Sequence, residues 1–117
     1  MKNIFAYQSV REFLSDRFRH EKIRGMTLAT FAAQFELSGP MFKMIMKGTR
    51  NLSVYKAHDI ARLFQMTHEE QEYMEALLLS EQAPAAHRGY YEKRLAQIKE
   101  TVRVQPQTAK TETTETA

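Results

Sequence analysis

The sequence predicts an all-α protein of about six helices, and three observations support this fold class. Apolar residues recur with the 3.6-residue period of a helix in successive segments of the 117-residue chain. Serine or threonine precedes several of these segments, where it can act as an N-cap. Gly48 and Pro84 fall at positions that end or separate helices. We expect a helix-turn-helix domain with an N-terminal arm over residues 1–83, a C-terminal helix over 84–102 and a disordered tail over 103–117.

The arm and the first helix occupy the start of the chain. The first eight residues contain three large apolar side chains, too many for a free tail, so we expect the arm to pack on the domain. The first helix begins at Ser9, which forms an S-x-x-E capping box with Glu12. It ends near Glu21, before a turn that Gly25 allows. Its inward stripe consists of Val10, Phe13, Leu14 and Phe18.

Residues 27–50 predict two short helices joined by a tight turn, the pattern of a helix-turn-helix. Thr27 caps the first helix and Ser38 caps the second, whose first turn tolerates Pro40. Ala32 is the small residue expected where the two backbones approach. The buried stripes consist of Leu28, Phe31, Ala32 and Phe35 on the first helix, and Phe42 and Ile45 on the second.

Glu36 occupies the turn position where a glycine is usual. A left-handed conformation there costs a residue with a side chain roughly 1 kcal/mol, so we expect strain or a different turn. An ordinary helical hairpin in a bundle has the same pattern and remains the alternative for this stretch.

Three further helices follow the loop that contains Arg50 and Asn51. Ser53 caps the fourth, and Thr67 with Glu70 forms a capping box that opens the fifth. The buried positions are Ala57, Ile60, Ala61 and Phe64, then Tyr73, Leu77 and Leu78. The sixth helix has a narrow apolar seam of Tyr91, Leu95, Ile98 and Val102. We expect this seam to form a homodimer interface, and packing on the same domain is the alternative.

Composition excludes several classes of protein. There is no cysteine, hence no disulfide framework or thiolate metal site, which fits a reducing cytoplasm. We expect no membrane partner, because no apolar run is long enough to span a bilayer. The four histidines lack metal-ligand spacing, and no phosphate loop or nucleophile motif is present. We therefore expect no enzymatic activity, no metal and no cofactor.

Charge is unevenly distributed along the chain. The net charge is +3, but residues 1–62 contain 11 Lys/Arg against 5 Asp/Glu, and residues 63–117 contain 6 against 9. The net charge is therefore +6 in residues 1–62 and −3 in residues 63–117. An excess of positive charge around a helix-turn-helix suits a phosphate backbone, while a solvated surface of mixed charge is the alternative.

With these segments placed, residues 27–64 resemble the Cro/phage-repressor type of helix-turn-helix. Over residues 4–98 the chain also resembles a family of uncharacterised bacterial transcriptional regulators. The shared motifs are I-F-A-Y at 4–7, R-E-F-L at 11–14, S-G-P at 38–40, G-T-R-N-L-S at 48–53, E-Y at 72–73 and Q-A at 82–83. Family members are mostly longer, so the chain could be a separate DNA-binding module or a partner of a longer relative.

The resemblance implies a site for double-stranded DNA on the second helix of the motif and on the loop behind it. Residues facing bases would be Gly39, Pro40, Met41, Lys43 and Met44, and Lys43 alone could donate to a guanine edge. Phosphate contacts would come from Thr27, Ser38, Lys47, Arg50 and Lys56. The alternative is a protein-interaction module that keeps the fold without reading bases. Four converging cations without an acid favour DNA, whereas an exposed patch of Met41, Met44 and Met46 favours a protein partner.

Overall fold

The computed structural model describes residues 3–103 in full and, beyond them, only the backbone bounds of the last helix. Over this part of the chain all regular structure is helical, which confirms the predicted fold class. A short 3₁₀ helix, Ile4–Ala6, precedes the six α-helices. They are α1 Val10–Ile23, α2 Leu28–Ala33, α3 Gly39–Lys47, α4 Val54–Leu63, α5 His68–Gln82 and α6 Ala85–Thr116. The predicted tail over 103–117 falls, except for Arg103, outside the fully described residues.

Five helices begin at the serine or threonine that the sequence predicts as the N-cap. In each case the side-chain oxygen accepts the backbone N–H three residues later, at 3.0–3.2 Å. At α5 the box is reciprocal, because the Glu70 carboxylate accepts the Thr67 N–H at 2.7 Å. At α1 only half of the predicted box is present. The Glu12 carboxylate accepts from the Ser9 hydroxyl at 3.4 Å, and not from the Ser9 backbone N–H that a complete capping box requires.

Four of these helices end in the same left-handed turn. The residue with positive φ donates to the carbonyl three residues back, and its successor donates to the carbonyl five residues back, at 2.9–3.1 Å. This is the Schellman motif. The left-handed residues are Gly25 (φ 99°), Glu36 (58°), Gly48 (84°) and Gln65 (54°). Glu36 thus adopts the left-handed conformation in which the sequence predicts strain, whereas the left-handed Gln65 was not predicted. Helix α1 ends at Ile23, two residues beyond the predicted Glu21, because the hydrogen bonds of its Schellman motif run from Gly25 and Met26 back to Lys22 and Glu21.

We expect Glu36→Gly to be more stable than Glu36→Ala by about 1 kcal/mol. Both variants remove the carboxylate, but only alanine keeps a Cβ in the left-handed region. Urea unfolding followed by circular dichroism measures the difference, and Gln65→Gly against Gln65→Ala is the matched pair at the end of α4. Equal stability of Glu36→Gly and Glu36→Ala would contradict a strained turn.

The core is built on aromatic side chains from four helices. Phe31 has its ring centroid 5.2 Å from that of Phe35 and 5.4 Å from that of Phe42. Phe64 lies 5.7 Å from Phe35 and 6.0 Å from Phe13, which connects α4 to α2 and α1. This cluster fixes the positions of α2 and α3. The N-terminal arm joins the core from the other side, through the buried Ile4 and Tyr7.

Helix α6 packs along α5 of the same chain. Ile98 is 4% exposed, and Leu95 and Val102 pack against the core as partly buried residues. Tyr91 is also partly buried. The alternative of packing on the same domain is thus the one that the structure shows. The seam is covered without a second copy, so it no longer supports the expected dimer. Among the described residues, no helix combines the length and the apolar character needed to cross a membrane.

Candidate nucleic-acid interface

Helix α3 has one face in the core and one in solvent. Phe42 and Ile45 are buried at 0% and 6% exposure, and they hold the helix against α1 and α2. Lys43 and Lys47, four residues apart, lie on the opposite face and are exposed together with Met44. The helix therefore presents an exposed face of two cations and one methionine.

Helices α2 and α3 approach each other at the turn. A Cβ added to Gly39 would lie 3.7 Å from Cα of Ala29, an ordinary van der Waals distance, so the start of α3 lies close to α2 but leaves room for an alanine. Ala32, the small residue that the sequence places where the two backbones approach, is fully buried, and Ala29 is the neighbour of Gly39 at the start of α3. Thr27 and Ser38 are both exposed, and their oxygens are occupied in capping.

The loop after α3 is held at both ends. Thr49 donates from its backbone and from its hydroxyl to the carbonyl of Met44, at 3.0 and 3.1 Å. At the other end Leu52 is buried, and its carbonyl accepts from Nε2 of Gln82 at 2.7 Å. Arg50 and Asn51 lie between these anchors and are exposed. The loop thus places Arg50 on a backbone fixed by α3 and α5.

The charge of this region is of one sign. Residues 37–58 contain four cations and no acidic residue. These cations are Lys43, Lys47, Arg50 and Lys56. None of them forms an ion pair with any described residue, whereas Arg19, Arg62, Arg94 and Arg103 each pair with a carboxylate. These four cations therefore have no ion-pair partner among the described residues.

The three methionines of α3 do not form an exposed patch. Met41 and Met46 are partly buried and pack against the core, so the side chain of Met41 is less available to bases than we expected. Met44 is 41% exposed. Pro40 is exposed, and Gly39 and Lys56 are half-buried. The four cations form no ion pair with a described residue, and Met41, Met44 and Met46 do not make an exposed apolar patch.

Arg11 was missed as a member of this surface. Its guanidinium lies over Gly48, so that a Cβ at Gly48 would overlap Nη1 and Cζ of Arg11. A cation beside the last turn of α3 is favourable, since the carbonyl end of a helix carries partial negative charge. Arg11 lies in the first turn of α1, 37 positions before Gly48, and the periodicity of the sequence shows only that it faces outward. No local signal could have placed it at the end of α3.

Two ionisable groups at the edge of the core have raised pKa values. Burial, with the hydrogen bond that the Tyr7 hydroxyl donates to Asp16 at 2.6 Å, raises the pKa of Tyr7 to about 12. Burial of the carboxylate raises the pKa of Glu81 to about 7, although the residue as a whole is exposed. Two groups lower the pKa of Glu81 in part. They are the positive charge of Arg11 and the backbone N–H of Val10, which donates to this carboxylate. Glu81 thus links the end of α5 to the start of α1.

We expect wild-type stability to fall relative to Glu81→Gln as the pH rises from about 4.5 to about 7. The folded chain holds the Glu81 proton over this window while the unfolded chain has lost it, so the unfolded state binds fewer protons and stability decreases with pH. Thermal unfolding of both proteins at intervals of half a pH unit measures the difference. A difference between them that does not change over this window would show that the carboxylate is not buried as described.

The described residues contain no group of three His, Cys, Asp or Glu side chains that could hold a metal ion. The described residues form an all-α protein in which a tight turn joins α2 to α3, and cations without an ion-pair partner lie on α3 and after it. Comparison with protein-family models, with curated proteins and with solved structures finds no match to this chain. The resemblance to the bacterial transcriptional regulators therefore remains a hypothesis that rests on the motifs.

Proposed function

We propose that this chain binds double-stranded DNA and acts as a cytoplasmic regulator of bacterial transcription. The observation that carries the proposal is the set of four cations in residues 37–58, unpaired with any described residue, on and behind a helix whose other face is in the core. Such a helix presents its solvent face to the major groove, and cations beside it neutralise phosphates. The motif resemblance supports the same function.

Base recognition depends on Lys43 in this proposal. Among the residues expected to face bases, Lys43 is the exposed hydrogen-bond donor, while Gly39, Pro40 and Met44 offer only apolar contact and shape. The expected sequence preference is therefore modest, with a guanine opposite Lys43. A dimer would read two half-sites about one helical turn apart, but it would need an interface other than the covered seam of α6.

The proposal is tested by selecting from random duplexes and sequencing those that the protein retains. An enriched motif supports a DNA-binding regulator, and a palindrome supports a dimer. Weak, sequence-blind binding that disappears at physiological salt would instead favour the protein-interaction module.

We expect Lys43→Ala to lower affinity for the selected duplex by about tenfold, the size of one good base contact. Affinity for unrelated duplexes should change much less. Fluorescence anisotropy with both duplexes measures the two losses, and Lys47→Ala is the matched control because it removes the same charge one turn along. Equal losses on both duplexes for Lys43→Ala would contradict its role in reading bases.

A further inference from the structure

A polar cleft of about 440 Å³ lies beside the loop that follows α3. It is formed where the start of α1, the end of α3, the end of α5 and the start of α6 meet this loop. Its apolar floor is closed, because Val10, Ile45 and Leu78 are at most 6% exposed. The cleft is therefore a depression with a polar rim on a packed base, and no described helix fills it.

Three arginines from three different parts of the chain line the rim. Arg11 comes from α1, Arg50 from the loop and Arg88 from α6. All three are exposed, and none forms an ion pair with a described residue. Arg88 donates from Nε to the carbonyl of Ala83 at 3.3 Å, which leaves its terminal nitrogens available. Guanidinium groups present pairs of N–H donors that match the oxygens of a phosphate.

Two glutamates on the same rim limit the positive charge. Glu81 and Glu92 line the cleft together with the arginines. Three guanidinium groups and two carboxylates leave the rim with an excess of positive charge. The excess is one positive charge when both carboxylates are ionised and two when Glu81, whose pKa burial raises to about 7, is protonated, so a phosphate group with one or two negative charges matches it.

We propose that this cleft binds a phosphate group between Arg11, Arg50 and Arg88. The phosphate belongs either to a small phosphorylated molecule or to the backbone of bound DNA, since both present the same oxygens. The site does not depend on the proposed function, because Arg11 and Arg88 lie outside the helix-turn-helix. Arg50 belongs to both surfaces, and Arg11 lies beside the end of α3, where the two surfaces meet.

The first experiment titrates the full chain with inorganic phosphate and follows backbone amide shifts at constant ionic strength, with chloride as the reference anion. Saturable shifts are expected at residues 48–52 and 80–82. Arg88→Gln is expected to weaken binding by about threefold to fivefold, the contribution of one exposed charge pair. Glu81→Gln is expected to strengthen it by a similar factor.

Arg24→Gln is the matched control, because it removes the same charge from the other end of α1, about 20 Å from Arg11 along the helix. It is expected to leave phosphate binding unchanged. Shifts that do not saturate, or an equal loss in Arg24→Gln and Arg88→Gln, would overturn the proposal. Since Glu81→Gln strengthens binding, its result cannot be produced by a variant that fails to fold.

A second arm identifies the source of the phosphate by measuring duplex affinity of Arg88→Gln. A loss of duplex affinity in step with phosphate affinity assigns the cleft to the DNA backbone. Unchanged duplex affinity assigns it to a small molecule. The phosphate titration uses no DNA, so a failure of the proposed DNA binding leaves it intact.

Discussion

Phe31→Ala is expected to destabilise the protein by about 3–5 kcal/mol, the usual cost of removing a buried aromatic ring. Phe31 is 1% exposed and lies at the centre of the aromatic cluster, with ring centroids of Phe18, Phe35 and Phe42 at 5.2–5.4 Å. Domains of this size are stable by roughly 5–15 kcal/mol, so the variant loses a large part of its stability. Urea unfolding followed by circular dichroism measures the loss.

The control for this variant is Ile23→Ala, at a position that is 81% exposed. A surface substitution of this kind is expected to change stability by less than about 0.5 kcal/mol. A loss below about 1 kcal/mol for Phe31→Ala would mean that the aromatic cluster does not hold α2 against α1 and α3.

The triple variant Lys47→Gln, Arg50→Gln, Lys56→Gln is expected to lose most of its affinity for any duplex. Each cation that neutralises a phosphate releases a counterion, so the slope of log affinity against log salt should fall by about three. Stability should be nearly unchanged, because none of the three cations forms an ion pair with a described residue. Fluorescence anisotropy from low to physiological salt measures the slope.

The matched control for the triple variant removes three cations of α6, Lys93, Lys99 and Arg103, and so changes the net charge equally. It should keep the wild-type slope within about one unit. If both triple variants lowered the slope equally, affinity for DNA would depend on the net charge of the protein and not on the cations on and after α3.

Local chemistry in the sequence predicted the starts of five helices well. Each of the five predicted N-caps is a serine or threonine, whose short side chain can reach the backbone three residues on, so the signal lies within four residues. Glu36 was singled out because a helix-turn-helix usually has a left-handed glycine at that place, although a different turn was the alternative. Gln65 adopts the same conformation without such a pattern around it, and it was not predicted.

The contacts between distant segments were less predictable. The spacing of Leu95, Ile98 and Val102 shows that α6 has an apolar seam but not whether this chain or a second copy covers it. Likewise, nothing near Arg11 in the sequence indicates that it lies over Gly48. Both depend on how whole helices pack, and periodicity gives the face of a helix without naming its neighbour.

The measurement that tests the central claim most directly is a titration of the full chain with a 20-base-pair duplex, followed by backbone amide shifts. The account predicts that the largest shifts cluster at Thr27, along α3 and in residues 48–56. Shifts of similar size across α5 and α6, or none at low salt, would contradict the assignment of this face to DNA.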